Sequence, residues 1–156
     1  KKYEIAIVEP HEIDMVVDGH DGDNLNWLEA RKSVEIIKKL KPDKAIIDCP
    51  SPNLKAYKER IHELLKNKVE IVAEHKADAK YPVVSAASIV AKVTRDNEIK
   101  KLEQKYGMIG SGYPADPITK EFLKRNFNKH PEIFRHSWST FKSVKKEALQ
   151  RKLEGF

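Results

Sequence analysis

The chain has 156 residues, enough for one domain with an ordinary core and no covalent staples. Apolar residues make up 40% and charged residues 35%, which describes a soluble globular chain with an ionised surface, and no apolar run approaches bilayer-spanning length. The single cysteine, Cys49, excludes an intramolecular disulfide and a cysteine-rich zinc site and points to a reducing, cytoplasmic setting, while the net charge of +6 suits a polyanionic partner.

Lys1-Lys2 is followed by only six apolar-rich residues, too few for a secretory signal. Tyr3 to Val8 is rich in β-branched residues and ends at Glu9-Pro10, which predicts a strand. A short helix over Glu12 to Asp18 and a turn from Gly19 to Asp23 follow. Asn24 caps a longer helix in which Trp27, Leu28, Val34, Ile37 and Leu40 recur at helical spacing, until Pro42 stops it. Lys44 to Asp48 is a brief buried strand closed by an acid and Pro50. Asn53 to Leu65 is helical, and Val69 to Ala73 is another strand. Two hydrophobic strands joined by a helix make parallel neighbours with axes roughly 4.8 Å apart. Their carboxyl ends then lie side by side, where α/β proteins place their chemistry.

From Val83 to Val93 the chain is rich in small residues and apolar almost all round, which predicts a helix buried on several sides. Its continuation carries Glu98, Lys101, Glu103 and Lys105 on a solvated face and ends at Gly107. Gly110-Ser111-Gly112-Tyr113-Pro114 is a loop, and Asp116 caps another helix with Pro117 in its first turn. Pro131 interrupts the chain, and a final helix runs from about Ser137 or Trp138 to the tail. The expected organisation is a core over residues 1–109, a C-terminal helical part of the same domain over 110–149, and a tail over 150–156.

Asp48 and Asp78 are the first candidates for chemistry. Asp48 terminates a buried strand, and Asp78 sits past the next strand at the entrance to the long helix. Two carboxylates at the mouth of a sheet can share hard divalent cations, and two such ions about 3.5–4 Å apart support phosphodiester cleavage. Taken separately, the same acids also fit plainer roles: Asp48 as a turn cap and Asp78 as a helix N-cap. His75-Lys76 adds cationic groups that either hold phosphate or pack at a strand end. In the glycine loop, backbone N–H groups and Ser111 suit phosphate and Tyr113 suits stacking, while a tight turn around a packed tyrosine is the alternative. No G-x-G-x-x-G and no Walker A loop occurs, which removes the usual nucleotide-binding readings. Basic residues cluster along the second half, and Lys120, Lys124-Arg125, Lys142 and Lys145-Lys146, with Arg135 and Trp138, form the preferred duplex-contacting surface.

Several blocks resemble a known family in order. His75-Lys76-Ala77-Asp78, then Tyr81-Pro82-Val83-Val84-Ser85-Ala86-Ala87-Ser88-Ile89, resembles the signature of archaeal-type ribonuclease HII. So do Gly110-Ser111-Gly112-Tyr113-Pro114-Ala115-Asp116-Pro117 downstream, Lys44-Ala45-Ile46-Ile47-Asp48 before it, and Arg135-His136-Ser137-Trp138 near the end. The resemblance implies an α/β, ribonuclease H-like fold: a mixed sheet flanked by helices, with a helical C-terminal extension. It implies that Asp48 and Asp78 are two of four metal-binding carboxylates served by Mg²⁺ or Mn²⁺. It implies that Tyr113 stacks on a sugar at an RNA–DNA junction, with Ser111, His75, Lys76 and Ser85 as further substrate contacts. The activity implied is hydrolysis of RNA in RNA/DNA hybrids, and of DNA duplexes 5′ of an embedded ribonucleotide, by a monomer. A non-catalytic duplex- or clamp-binding module of the same fold is the alternative.

The chain departs from the family in one respect. The glycine-rich Asp-Glu-Ala-Gly-Arg-Gly strand that brings the other two carboxylates is not found, and the first residue is not Met. The expectation is therefore a fragment that lacks an N-terminal segment and is inactive, or nearly so, alone. At the tail, Gln150, Leu153 and Phe156 resemble the Gln-x-x-Leu-x-x-Phe peptide that docks on sliding clamps.

Overall fold

The computed structural model describes residues 2–19, 22–66 and 69–154, with the backbone alone at 152 and 154. In chain order the elements are α1 (Pro10–Val17), α2 (Leu25–Leu40), β1 (Lys44–Asp48), α3 (Leu54–Leu65), β2 (Glu70–Glu74), α4 (Ala77–Lys80), α5 (Pro82–Tyr106), α6 (Pro117–Asn126) and α7 (Ser139–Glu154), with a 3₁₀ turn at Pro131–Ile133. They form two compact units, one of Lys1–Ile7 with His20–Val93 and the other of Val8–Gly19 with Thr94–Phe156.

In the first unit, α2 starts where its cap predicts, with Asn24 Oδ1 accepting the Trp27 N–H at 3.1 Å. Asn53 caps α3 in the same way through Ala56 at 3.0 Å. Both helices end on lysines in the left-handed region, Lys41 at φ 50° and Lys66 at φ 56°, where glycine is the usual choice. Between them β1 and β2 pair in parallel, from Lys44↔Glu70 to Asp48↔Glu74. The core is Ala30, Val34 and Ile37 of α2, Tyr57, Ile61 and Leu65 of α3, with Cys49 and Ile71. Those helical positions recur every three or four residues, so one stripe of each helix is buried. Tyr57 stacks on Trp27 with ring centroids 6.3 Å apart, and burial, partly offset by a Ser33 hydrogen bond, pushes its phenol up to about 12.

In the second unit, α6 opens as expected, with Asp116 accepting the Ile118 N–H at 2.9 Å and Pro117 in the first turn. Phe134 bridges Phe122 and Phe141 with ring centroids 5.8 and 6.2 Å apart. Asp14 of α1 accepts from the His136 N–H at 2.7 Å and from the Ser137 N–H and hydroxyl at 2.9 and 2.6 Å. That junction ties α1 to the chain just before α7.

The fold is α/β as expected, mostly helical with a small parallel sheet and a helical C-terminal region. Three expectations are corrected. Tyr3 to Val8 lies in no strand among the described residues, because propensity makes a strand only where a ladder partner exists, and the sheet pairs β1 with β2 alone. The apolar half of α5 is not buried on several sides: only Val84 is buried, while Val83, Ile89 and Val93 are more than half exposed. An apolar helix signals demand for a covering layer, and the described residues do not supply it on those sides. Asp78 does not cap the long helix either; it lies in the first turn of α4, whose N-cap is Lys76 in the left-handed region at φ 55°. No helix among the described residues is long and apolar enough to cross a membrane.

Candidate functional site

The parallel pairing of β1 and β2 fixes where the candidate acids stand. Asp48 is the last residue of β1, and its register partner is Glu74 at the end of β2. Beyond Glu74 the chain turns through His75 and Lys76 into α4. Asp48 Oδ1 accepts the Ala77 N–H at 3.1 Å, one residue before Asp78. The bond satisfies an orphan donor at the start of α4, so the capping role considered for Asp48 is real. It also holds the Asp48 carboxylate beside the backbone that carries Asp78. Glu74 is engaged elsewhere, with Lys80 Nζ at 2.6 Å and the Tyr81 hydroxyl at 2.8 Å, and these bonds hold its carboxyl below the usual range. His75 Nδ1 meets the Cys49 carbonyl at 3.2 Å, so the ring packs against the end of β1. Ser85 sits in the first turn of α5, its N–H donating to the Tyr81 carbonyl at 3.0 Å.

Asp48 and Asp78 are hard oxygen donors, the kind Mg²⁺ takes in ones and twos beside phosphate and water. Among the described residues no group of three or more His, Cys, Asp or Glu forms a metal-sized cluster. By the chemistry of their oxygens alone, the two acids suit a divalent cation as two donors of a larger set.

The glycine loop belongs to the second unit and is built on side chains of its own surroundings. Glu103 Oε1 accepts the Ile109 and Gly110 N–H groups at 3.0 and 3.1 Å, so Glu103 is not the purely solvated residue expected. Thr119 is buried and accepts the Gly112 N–H at 3.0 Å while donating to the Ile109 carbonyl at 2.9 Å. The Ser111 N–H donates to Asp116 at 2.6 Å, and this bond, with the Ser111 hydroxyl and the Ile118 N–H, holds the Asp116 carboxyl down to about 2. Ser111 Oγ also accepts the Tyr113 N–H at 3.4 Å. Tyr113 remains 55% exposed, with the Arg95 guanidinium 3.9 Å from its ring centroid.

The basic surface is partly committed to internal contacts. Lys142 pairs with Asp18 at 3.0 Å and Arg125 with Glu121 at 2.8 Å. Arg135 is half-buried over Trp138, 5.1 Å from the ring. At the C-terminus α7 carries Gln150 and Leu153 three residues apart, and Leu153 is 78% exposed. Phe156, the third residue of that motif, lies outside the described residues.

The ribonuclease HII family model matches residues 5–141. The chain belongs to the ribonuclease HII family. Ribonuclease HII of Methanocella arvoryzae is 43% identical over 99% of this chain and 70% of that protein, and ribonuclease HII of Pyrococcus horikoshii is 44% identical over 97% and 69%. Among solved structures, ribonuclease H2 from Pyrococcus horikoshii OT3 matches with a TM-score of 0.78 and 44% identity over 90% of this chain and 66% of that one. The RNase HII of a PCNA:RNase HII complex from Archaeoglobus fulgidus matches with a TM-score of 0.76 and 37% identity, over 88% and 65%. The chain thus spans about two thirds of the length of these structures.

Membership in the ribonuclease HII family agrees with the resemblance read from the sequence. What that reading missed are Glu103 and Thr119, which shape the loop, and Arg95, which lies against Tyr113. Glu103 carried a signal, since an acid one turn before a helix-ending glycine is placed to take the N–H groups that follow. Thr119 carried none, because a threonine inside a helix does not mark itself as a loop acceptor, and Arg95 carried none, because Tyr113 is 18 positions away.

Proposed function

We propose that this member of the ribonuclease HII family is a divalent-metal endonuclease that hydrolyses the RNA strand of RNA/DNA hybrids and cuts duplex DNA 5′ of embedded ribonucleotides. The observation that carries the reading is the Asp48–Ala77 hydrogen bond, which sets one strand-ending carboxylate beside the segment bearing the other. Asp48 and Asp78 hold the cation, Mg²⁺ or Mn²⁺. When bound there, it supplies an activated water and stabilises the leaving oxygen. The chain's own part is to hold the Asp48 carboxylate beside the segment that carries Asp78, with Lys76 and His75 near the phosphate and Ser85 on the adjoining turn. Ser111 and Tyr113 contact the backbone and a sugar, Tyr113 through its exposed ring. The protein works as a monomer in the cytoplasm, a setting supported by the buried free thiol of Cys49.

Two carboxylates are fewer than the four the family resemblance implies, so these residues alone should turn over slowly or not at all. The test is Mg²⁺-dependent cleavage of a DNA duplex with one ribonucleotide, with and without a supplied segment bearing Asp-Glu-Ala-Gly-Arg-Gly. Cleavage that requires the segment and is lost in Asp48→Asn or Asp78→Asn, with duplex binding retained, supports the enzyme. If the folded, complemented protein never cleaves, a non-catalytic binding module is the correct reading.

A sliding-clamp partner is part of the proposal. Leu153 and Phe156 would form an apolar plug with Gln150 as polar anchor, and a structurally similar relative is known in complex with PCNA. Phe156→Ala should weaken clamp binding at least tenfold, the scale of an aromatic anchor worth about 2 kcal/mol. Unchanged affinity in calorimetry would remove this partner.

A further inference from the structure

Arg95 and Ile99 lie four residues apart on α5 and so share a helix face. The backbone of Gly112 rests directly against both. A Cβ at position 112 would sit 2.7 Å from Ile99 Cδ1 and 2.9 Å from Arg95 Nη2, and the residue holds φ at +71°. The positive φ favours glycine there, and the absence of a Cβ leaves the ends of the Ile99 and Arg95 side chains where they lie. The next residue is Tyr113, and the Arg95 guanidinium lies 3.9 Å from its ring centroid. That is stacking distance for a planar cation on an aromatic face. Asp96 takes Arg95 Nη1 at 3.2 Å, so a second contact constrains the guanidinium.

The rest of the loop is fixed independently, through Thr119 on the Gly112 N–H and Asp116 on the Ser111 N–H. A ring that is backed on one side and still 55% exposed is neither core nor a free rotor. Ordering it before binding lowers the entropy that binding must otherwise supply.

We propose that Arg95 is a positioning residue for nucleic-acid recognition, its guanidinium backing one face of Tyr113 so that the remaining surface of the ring is presented to a sugar of the substrate strand. This rests on the reading of Tyr113 as a sugar-stacking residue. The guanidinium also keeps a positive charge next to the ring, where a backbone phosphate adjoining that sugar would be attracted.

Two measurements on the full chain test the assignment. With isotope-labelled tyrosine rings, the Tyr113 signal, identified by its loss in Tyr113→Phe, should move in Arg95→Ala and move less in Arg95→Lys. An unmoved signal overturns the contact. Affinity for a duplex with one embedded ribonucleotide, read by anisotropy without divalent metal, should fall about 2- to 30-fold in Arg95→Ala, the range of a cation–π contact. The same change should add nothing in a Tyr113→Ala background. Additive losses mean that Arg95 acts alone, which ends the positioning role and leaves Tyr113 as proposed. If Tyr113→Ala itself costs no affinity, or the unmodified chain does not bind, the sugar-stacking reading fails and the positioning role falls with it. Should Arg95→Ala not fold, Arg95→Lys carries the cycle, with a smaller loss expected in the same non-additive pattern.

Discussion

Asp116 shows how one side chain can serve two elements at once. It caps α6 through the Ile118 N–H and ties down the glycine loop through the Ser111 N–H. The bonds from Ser111 and Ile118 hold its carboxyl down to about 2 in the folded protein, below the ordinary aspartate value of about 3.9. A depressed folded value means that the stabilisation is complete above the unfolded pKa and is lost as pH falls through the folded one. Asp116→Asn should therefore be less stable than the unmodified chain near pH 7, and the difference should close as pH approaches about 2. Urea midpoints across that range check it; a gap that stays constant with pH would mean the charge is irrelevant. Gly112 is the other residue whose identity the backbone favours. Gly112→Ala strains a positive φ, while the ends of the Ile99 and Arg95 side chains it meets can shift, so a loss of about 1–2 kcal/mol in denaturant unfolding is expected.

At the scale of elements, the helix ends are where this chain is least optimised. Lys41 closes α2 in the left-handed region, a conformation that costs an L-residue about 1–2 kcal/mol. Lys41→Gly should raise stability by about 0.5–1 kcal/mol after the added freedom of the unfolded chain is counted. Lys38→Gly, one turn earlier inside the helix, should lower it by about 1 kcal/mol. The opposite signs are the point of the pair, and the same denaturation experiment reads both. The Asp14 junction before α7 carries more. Burial opposes the charge of Asp14, but hydrogen bonds from the Ser137 hydroxyl and N–H and from the His136 N–H outweigh it and hold the carboxyl below its ordinary value. Asp14→Ala removes all three partners, and a loss of about 1–3 kcal/mol is expected in this partly exposed setting.

For the whole molecule, charge is the property that scales. Thirty Lys and Arg against 24 Asp and Glu give the net +6, and several of the basic groups are already paired with acids of the same chain. Duplex affinity should therefore depend on salt, though less steeply than the raw count of lysines suggests. Between about 50 and 200 mM salt, a fall on the order of 10- to 100-fold corresponds to some two to four phosphate contacts. A flat salt titration would contradict a nucleic-acid partner held by its backbone.

Much of this molecule was legible in one dimension. The caps Asn24 and Asp116, the strands read at Lys44–Asp48 and Val69–Ala73 and found at Lys44–Asp48 and Glu70–Glu74, and the order of the signature blocks follow from local rules, because a helix start or a strand period depends on neighbours within a few residues. The family itself was legible for the same reason, since its motifs are short and contiguous. Only the tertiary structure decided the rest. Tyr3 to Val8 has strand propensity without a ladder partner among the described residues, and the apolar first half of α5 leaves Val83, Ile89 and Val93 exposed, since pairing and burial depend on what stands opposite. The same reason separates Asp48, whose strand-end position could be read directly, from its bond to Ala77, and Tyr113 from the Arg95 that backs it. These contacts join residues eighteen or more positions apart, and a sequence records such partners without recording that they meet.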